Sequence, residues 1–410
     1  MKPGLVRATL TLLTGSVAAH AIPLLLGPAL TRLYSPEAYG QFALLWAVSA
    51  NIAVVACARY EFALPLETSD EGAAELMALC ARILMAVTAA SAGVGAVLAL
   101  WRDLPLAWSL PLAVAAGGAM QWLTMWATRS QLFGLLALAR LLQQGGGAIA
   151  QLLLGLLKMG PTGLMLGSAA TALGAACLLA RPAPAGGWAA LWRMPRQALT
   201  DAARRHSDFP LLNTPHAFLG ALQDTLTLVL VATLTGDASA GVWALALRYL
   251  KAPATLVGGA LSQTLYPRLL QAPGDGQARA IVRRAMLGLA AIALPLAAVL
   301  MLAGPQVFHL AFGDQWTQTG ELARAMAPYI ALHFIASPLA VVTMAWKAQA
   351  WALRLALAGQ CLFFAGLVPG LCLGGLSGAG WGISASMLAY FGYYFWALAN
   401  WKDIPHESAA

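Results

Sequence analysis

The sequence predicts an all-α, polytopic membrane protein whose twelve transmembrane helices form two six-helix bundles around a central cationic cavity. Three observations predict it. Twelve apolar stretches, each long enough to span a bilayer, take up most of the 410 residues. The composition is 60% hydrophobic and only 10% charged, with a mean hydropathy of +0.72, whereas soluble domains carry about 25% charge. Lys and Arg, finally, concentrate on one side of the membrane, consistently from hairpin to hairpin.

A span needs roughly 20 mostly apolar residues, and hydrocarbon offers backbone groups no partner, so each stretch must be a helix. The first six run from Thr9 to Leu33, Tyr39 to Tyr60, Leu76 to Leu100, Ser109 to Thr128, Leu136 to Leu157 and Gly163 to Ala180. The second six run from Phe209 to Leu234, Gly241 to Tyr266, Ile281 to Ala303, Ala325 to Ala345, Trp351 to Leu373 and Ala379 to Asn400. With both termini in the cytoplasm, seventeen of the 24 Lys and Arg residues fall on the inner side and only Arg32, Arg102, Lys158 and Arg324 on the outer. That is the positive-inside pattern. The net charge of +8 is therefore a topology signal, and no nucleic-acid partner is expected.

Lys2 and Arg7 before an apolar run, with Ala19-His20-Ala21 behind it, have the look of a cleaved signal peptide. The run continues to Leu33, however, and its removal would leave an odd number of spans, so it is taken as the first span. Cys57, Cys80, Cys177, Cys361 and Cys372 lie in or beside spans with no CxxC pair, which predicts neither disulfide nor metal site.

The polar connection from Arg181 to Asp208, rich in Pro and Gly, divides the spans six and six. The expected organisation is an N-terminal bundle over 1–180, a cytoplasmic linker over 181–207 and a C-terminal bundle over 208–410. Gly40-Gln41-Phe42-Ala43-Leu44 and Gly241-Val242-Trp243-Ala244-Leu245 open equivalent spans of the two halves. Two repeats of six spans fit a transporter that rocks one bundle against the other around a central site.

Polar residues on one face of a span mark a wet cavity or a partner helix. On the fifth span Arg140, Gln143, Gln144, Gly147 and Gln151 fall at i, i+3, i+4, i+7 and i+11 and so share one face of the helix. Asn213, His216, Gly220, Asp224 and Thr227 form a stripe on the seventh. The eighth carries Ala244, Arg248, Lys251, Thr255, Gly258 and Ser262. Gln and Thr also serve simply to glue helices together. Arg248 and Lys251 demand more, because two cations one turn apart, roughly 10 to 15 Å below the outer end of their helix, are costly without an anionic ligand or a carboxylate opposite. In the hairpin of spans seven and eight, Asp224 comes to the depth of Lys251, with Arg248 a turn outward. A pair of that kind is structural or functional, and the surplus cation leaves a positive field suited to phosphate.

His20, near the middle of the first span, titrates near neutral pH and is a candidate proton site or cavity contact, although a lone buried His also serves in packing. His216 and His333 are weaker candidates. Pro23, Pro253, Pro295 and Pro338 kink their helices. No GxSxG elbow, HExxH or paired-acid motif occurs, so no catalytic residue and no cofactor are assigned. The acids from Glu61 to Glu71 belong to an inner loop and read as a solvated face.

Thr31 to Phe42 (TRLYSPEAYGQF), Arg59 to Leu66 (RYEFALPL), Gly163 to Gly167 (GLMLG), Gly241 to Tyr249 (GVWALALRY) and Ser262 to Leu269 (SQTLYPRL) together resemble a family. It is that of bacterial polysaccharide biosynthesis transporters, the O-antigen type flippases of the multidrug/oligosaccharidyl-lipid/polysaccharide (MOP) exporter superfamily. The resemblance implies alternating-access transfer of an undecaprenyl-pyrophosphate-linked oligosaccharide from the cytoplasmic to the periplasmic leaflet of the inner membrane. It implies coupling to H+ or Na+, with Asp224 and His20 as carriers, and partnership with a polysaccharide polymerase and a chain-length regulator. Carried onto this sequence, the cationic lumen comprises Arg248, Lys251, Arg59 and His20, joined by the polar face of Arg140, Gln143 and Gln151. A peptidoglycan-precursor flippase, a multidrug exporter of the same superfamily and a membrane polymerase of lipid-linked sugars are the alternatives.

Overall fold

The computed structural model describes residues 3–101, 104–272 and 274–401; the side chains of residues 3–17, 105, 212, 216, 256 and 260 lie outside the described residues. Every regular element among them is helical. In order these are α1 (Pro3–Leu33), α2 (Pro36–Val54), α3 (Asp70–Trp101), α4 (Leu110–Arg129), α5 (Phe133–Leu141), α6 (Gly147–Leu156) and α7 (Gly160–Leu179). Two short helices come next, α8 (Trp188–Arg193) and α9 (Arg196–Arg205). The remainder are α10 (Thr214–Thr235), α11 (Asp237–Leu250), α12 (Ala252–Leu270), α13 (Asp275–Phe312), α14 (Thr317–Ala345) and α15 (Gln349–Ala399).

The twelve predicted stretches are largely helical, the second ending early at Val54, and seven helices among the described residues are long and apolar enough to cross a membrane. Local breaks account for part of the difference. The fifth span is interrupted by a π-turn at Leu142–Gly146 between α5 and α6. The eighth is divided at Lys251 between α11 and α12. In α15 the eleventh and twelfth spans run together, broken at Gly374 and Gly375, where Gly375 takes a φ of 58° that a side chain would strain. At the other extreme, α2 starts sharply: the Ser35 side chain accepts from the Ala38 N–H at 3.3 Å, and Pro36 fills the first turn.

The chain groups into two compact units, Met1–Val229 and Leu230–Ala410. The division falls inside α10 and not in the 181–207 segment expected as linker. Two contacts give the reason, since Asn51 Nδ2 donates to the Phe218 carbonyl at 3.4 Å and Thr225 Oγ1 to that of Ala47 at 3.2 Å, fixing the start of α10 to α2. The segment 181–207 is itself folded, with Leu191, Leu199 and Ala202 buried in a core shared with α3 and α4.

In the first unit, small residues let helices approach closely, as where Ala116 of α4 meets Ala169 and Ala172 of α7, all fully buried. In the second unit α14 is central and packs against α11, α12, α13 and α15. The two halves of α15 pack backbone to backbone: a Cβ at Gly370 would run into the Gly378 carbonyl, and one at Gly366 into that of Gly382.

Candidate functional site

In the second unit, Arg248 lies in the last turn of α11 and Lys251 at its joint with α12, both half-buried. The Lys251 N–H donates to the Leu247 carbonyl at 2.9 Å and its own carbonyl accepts the Thr255 N–H at 3.1 Å, so hydrogen bonding continues through the joint. Pro253 supplies no N–H to the preceding turn and bends the helix there. The opposite face is apolar. Leu250 and Pro253 face Ala297 and Leu300 of α13 and Ile330 and Phe334 of α14 across a small cavity, while Tyr249 packs edge-on to Phe312 at 4.7 Å. Apolar packing on one side thus holds the two cations together on the other.

In the first unit the candidates disperse. His20 on α1, Arg140 on α5 and Asp224 on α10 are exposed. The fifth-span stripe is corrected by the π-turn, which adds a residue to one turn and rotates the rest of the span by about 100°. Gln143 stays half-buried within that turn. Gln151 is buried, and its amide donates to Ser168 Oγ at 2.7 Å and the Leu164 carbonyl at 3.2 Å, gluing α6 to α7. The His216 side chain lies outside the described residues, and His333 stacks on Tyr329 at 5.8 Å.

Arg59 sits where α2 has ended, on a left-handed turn shared with Ala58 (φ 64° and 49° respectively), a conformation costly for residues with a side chain. Its guanidinium lies over the Phe62 ring, 4.5 Å from the centroid. The chain then forms a 3-10 segment, Tyr60–Leu66. Here Glu61 departs from its expected place in a solvated loop. It is fully buried, because the segment tucks against α3 and α4 instead of leaving the bundle. Glu61 Oε1 accepts from the Gln121 amide at 2.6 Å, and Oε2 has no hydrogen-bond partner among the described residues. The Cys57 and Cys80 sulfurs and a Glu61 oxygen lie within 4.8 Å of one another. Spacing concealed this cluster, since its members come from two turns of irregular backbone and a helix; a lone acid inside the apolar run YEFALPL was the available signal.

The later acids of that loop form a clamp. Glu67 Oε1 accepts from the Ser69 N–H at 3.3 Å and hydroxyl at 3.0 Å, and Oε2 lies 3.5 Å from His206 Nε2. Burial pushes the Glu67 carboxyl up, but the Ser69 hydrogen bonds and His206 outweigh it and hold the group below the ordinary carboxylate range. Arg129 donates to Asp70 Oδ1 at 2.9 Å and the Ser69 carbonyl at 3.1 Å. Arg82 reaches the Met194 carbonyl at 3.0 Å, and Arg205 pairs with Glu75, so α8 and α9 are docked on α3 by charge.

This architecture of long, bent, apolar helices, seven of them among the described residues able to cross a membrane, is that of a multi-pass membrane protein. Its fold resembles that of solved transporters along nearly its full length. An inward-facing multidrug resistance MATE family transporter of the MOP superfamily matches with a TM-score of 0.62 at 13% identity, over 93% of this chain and 97% of that one. A MOP superfamily transporter from Pyrococcus furiosus Vc1, described as having a binding pocket of reversed polarity that suggests a different function, matches at 0.56 and 14% over 96% of each chain. A MATE in complex with MaD3S matches at 0.54 and 14%, again over 96% of each. No curated protein matches significantly. The family model "Polysaccharide biosynthesis protein" matches residues 66–321, more than half of the sequence, and the chain belongs to that family.

Proposed function

We propose that the protein is a flippase that carries undecaprenyl-pyrophosphate-linked oligosaccharide, a repeat unit of O-antigen, capsule or exopolysaccharide, from the cytoplasmic to the periplasmic leaflet of the bacterial inner membrane. Both termini lie in the cytoplasm in this reading. The observation that carries it is the pair Arg248 and Lys251, two half-buried cations one turn apart on a bent span, in a chain of the polysaccharide biosynthesis family. Arg offers a fork of donors to pyrophosphate oxygens and Lys a point charge, while the lipid tail stays in the bilayer. Arg59, His20, Arg140 and Gln143 are further contacts for the headgroup, and Gln151 supports their helix. The cycle is alternating access coupled to H+ or Na+, with Asp224 and His20 as carriers. A polysaccharide polymerase and a chain-length regulator take the product at the outer face.

The test is to delete the gene in its host and locate lipid-linked sugar with a membrane-impermeant label on inside-out and right-side-out vesicles. Complete repeat units trapped on the cytoplasmic face support the flippase. Units that reach the periplasmic face unpolymerised overturn it in favour of a polymerase.

A further inference from the structure

We propose that Cys57, Glu61 and Cys80 form a binding site for one thiophilic metal ion, with zinc as the ion that fits, just beyond the end of α2. The groups converge from two elements, the two sulfurs and a carboxylate oxygen lying within 4.8 Å of one another. All three residues are buried. Tetrahedral zinc, with bonds of about 2.3 Å to sulfur and about 2.1 Å to oxygen, holds such atoms roughly 3.6–3.8 Å apart, so side-chain rotation has at most about 1.2 Å to close. The backbone is shaped for this convergence. Between Cys57 and Glu61, Ala58 and Arg59 take left-handed φ values of 49° and 64°, a conformation costly for residues with a side chain and characteristic of functional sites. That turn brings Cys57 and Glu61 to the same place, and α3 supplies Cys80.

The chemistry of the set favours a metal over plain packing. Gln121 holds Glu61 Oε1, and Oε2 is buried with no hydrogen-bond partner among the described residues. A polar atom left so is costly. A metal ion supplies the partner, and Gln121 orients the carboxylate from behind, as outer partners of metal ligands do. Cys57 Sγ donates to the Cys80 carbonyl at 3.7 Å, a weak bond that the thiol gives up on loading. Zinc entry releases both thiol protons to water and forms two Zn–S bonds and one Zn–O bond, with water as the fourth ligand. Two thiolates and one carboxylate against a double positive charge leave one negative charge, and Arg59 is the neighbouring cation. Thiolates select zinc over hard cations, which take oxygen ligands. In the proposed topology this end of the span lies in the cytoplasm, where thiols stay reduced. The ion ties the turn that carries Arg59 to α3 as a fixed staple, distinct from any ion moved during transport.

The metal content of the full-length protein, grown with added zinc and purified in detergent with a reductant and a mild chelator wash, tests the site. The wild type should hold one zinc per chain by mass spectrometry. Cys57→Ala, Cys80→Ala and Glu61→Gln should each lose it, whereas Cys177→Ala, at an exposed thiol elsewhere, should keep it. Growth with cobalt in place of zinc should give wild-type protein with thiolate-to-cobalt charge-transfer absorption in the near ultraviolet, a readout that asks no variant to fold. Wild-type protein without stoichiometric zinc overturns the proposal, as does zinc that survives both cysteine substitutions or bound cobalt that lacks the thiolate band. A Cys57–Cys80 disulfide in protein alkylated before lysis overturns it too, since sulfurs joined to each other leave no thiolate for a metal. Every one of these readouts is made without transport, so a failure of the flippase reading and a failure of the metal site are told apart.

Discussion

Gly163 and Tyr34 are far apart in sequence but meet at one contact, and the consequence of adding a methyl group there can be worked out. Tyr34 is buried, and its hydroxyl donates to the Gln151 carbonyl at 2.7 Å. A Cβ on Gly163 would sit 2.9 Å from that hydroxyl and 3.2 Å from the Cβ atoms of Leu154 and Met159. Gly163→Ala therefore overpacks the seam between α6 and α7, a cost of about 1–3 kcal/mol. Gly163 lies within α7, so alanine also returns up to about 1 kcal/mol of helix propensity. The net expectation is a destabilisation of about 1–2 kcal/mol. Tyr34→Phe removes the hydrogen bond, worth about 0.5–1.5 kcal/mol, but also removes the oxygen that the added methyl group would strike. The double variant should be less destabilised than the sum of the singles by about 1 kcal/mol, beyond the additivity expected of independent sites. Unfolding of the four proteins in mixed micelles with increasing dodecyl sulfate, followed by circular dichroism, measures the cycle. Strict additivity, or a Gly163→Ala protein as stable as wild type, would refute the steric argument.

Arg248→Ala and Lys251→Ala should each lower transport of lipid-linked sugar by roughly tenfold or more, since one charge-assisted contact is worth about 1.5–3 kcal/mol; inserted protein is quantified in parallel, and normal transport by both would end the cationic-site reading. Gly370→Ala should destabilise the α15 hairpin by about 1–3 kcal/mol, because its Cβ meets the Gly378 carbonyl. Gly288→Ala, a helical position with open space around it, should be neutral or stabilising in the same melting assay. The clamp should be acid-sensitive. Glu67 is held below its ordinary range when folded, so its contribution is complete above the unfolded carboxylate value and fades as pH falls through the lower folded one. Proteolysis of the 181–207 segment should rise over that interval in the wild type, and Glu67→Gln should be cleaved more readily at neutral pH and show no such rise.

The twelve spans were legible because hydropathy sums over some twenty residues, and one polar side chain hardly alters the sum. Register within a span was less legible. The fifth-span stripe assumed 3.6 residues per turn throughout, and the π-turn at Leu142–Gly146 is set by how Gln143, Gly146 and Gly147 pack near Thr171, a tertiary matter that spacing does not encode. Gln151 looked like a cavity residue for the same reason and is a hinge-pin between α6 and α7. The motif TRLYSPEAYGQF had another hidden partner, since its Tyr34 closes on Gly163 of GLMLG.

The acids of the 61–75 region carry the sharpest lesson. Composition treats them as one solvated run, but the fold separates them by what stands opposite. Asp70 and Glu75 meet guanidinium groups from α4 and α9, and Glu67 meets an imidazole; these charges are answered where they stand and lock α8 and α9 to α3. Glu61 meets an amide and two thiols. It forms no ion pair among the described residues, and the nearby cation on its own turn is engaged with an aromatic face, which holds a guanidinium by about 1–2 kcal/mol.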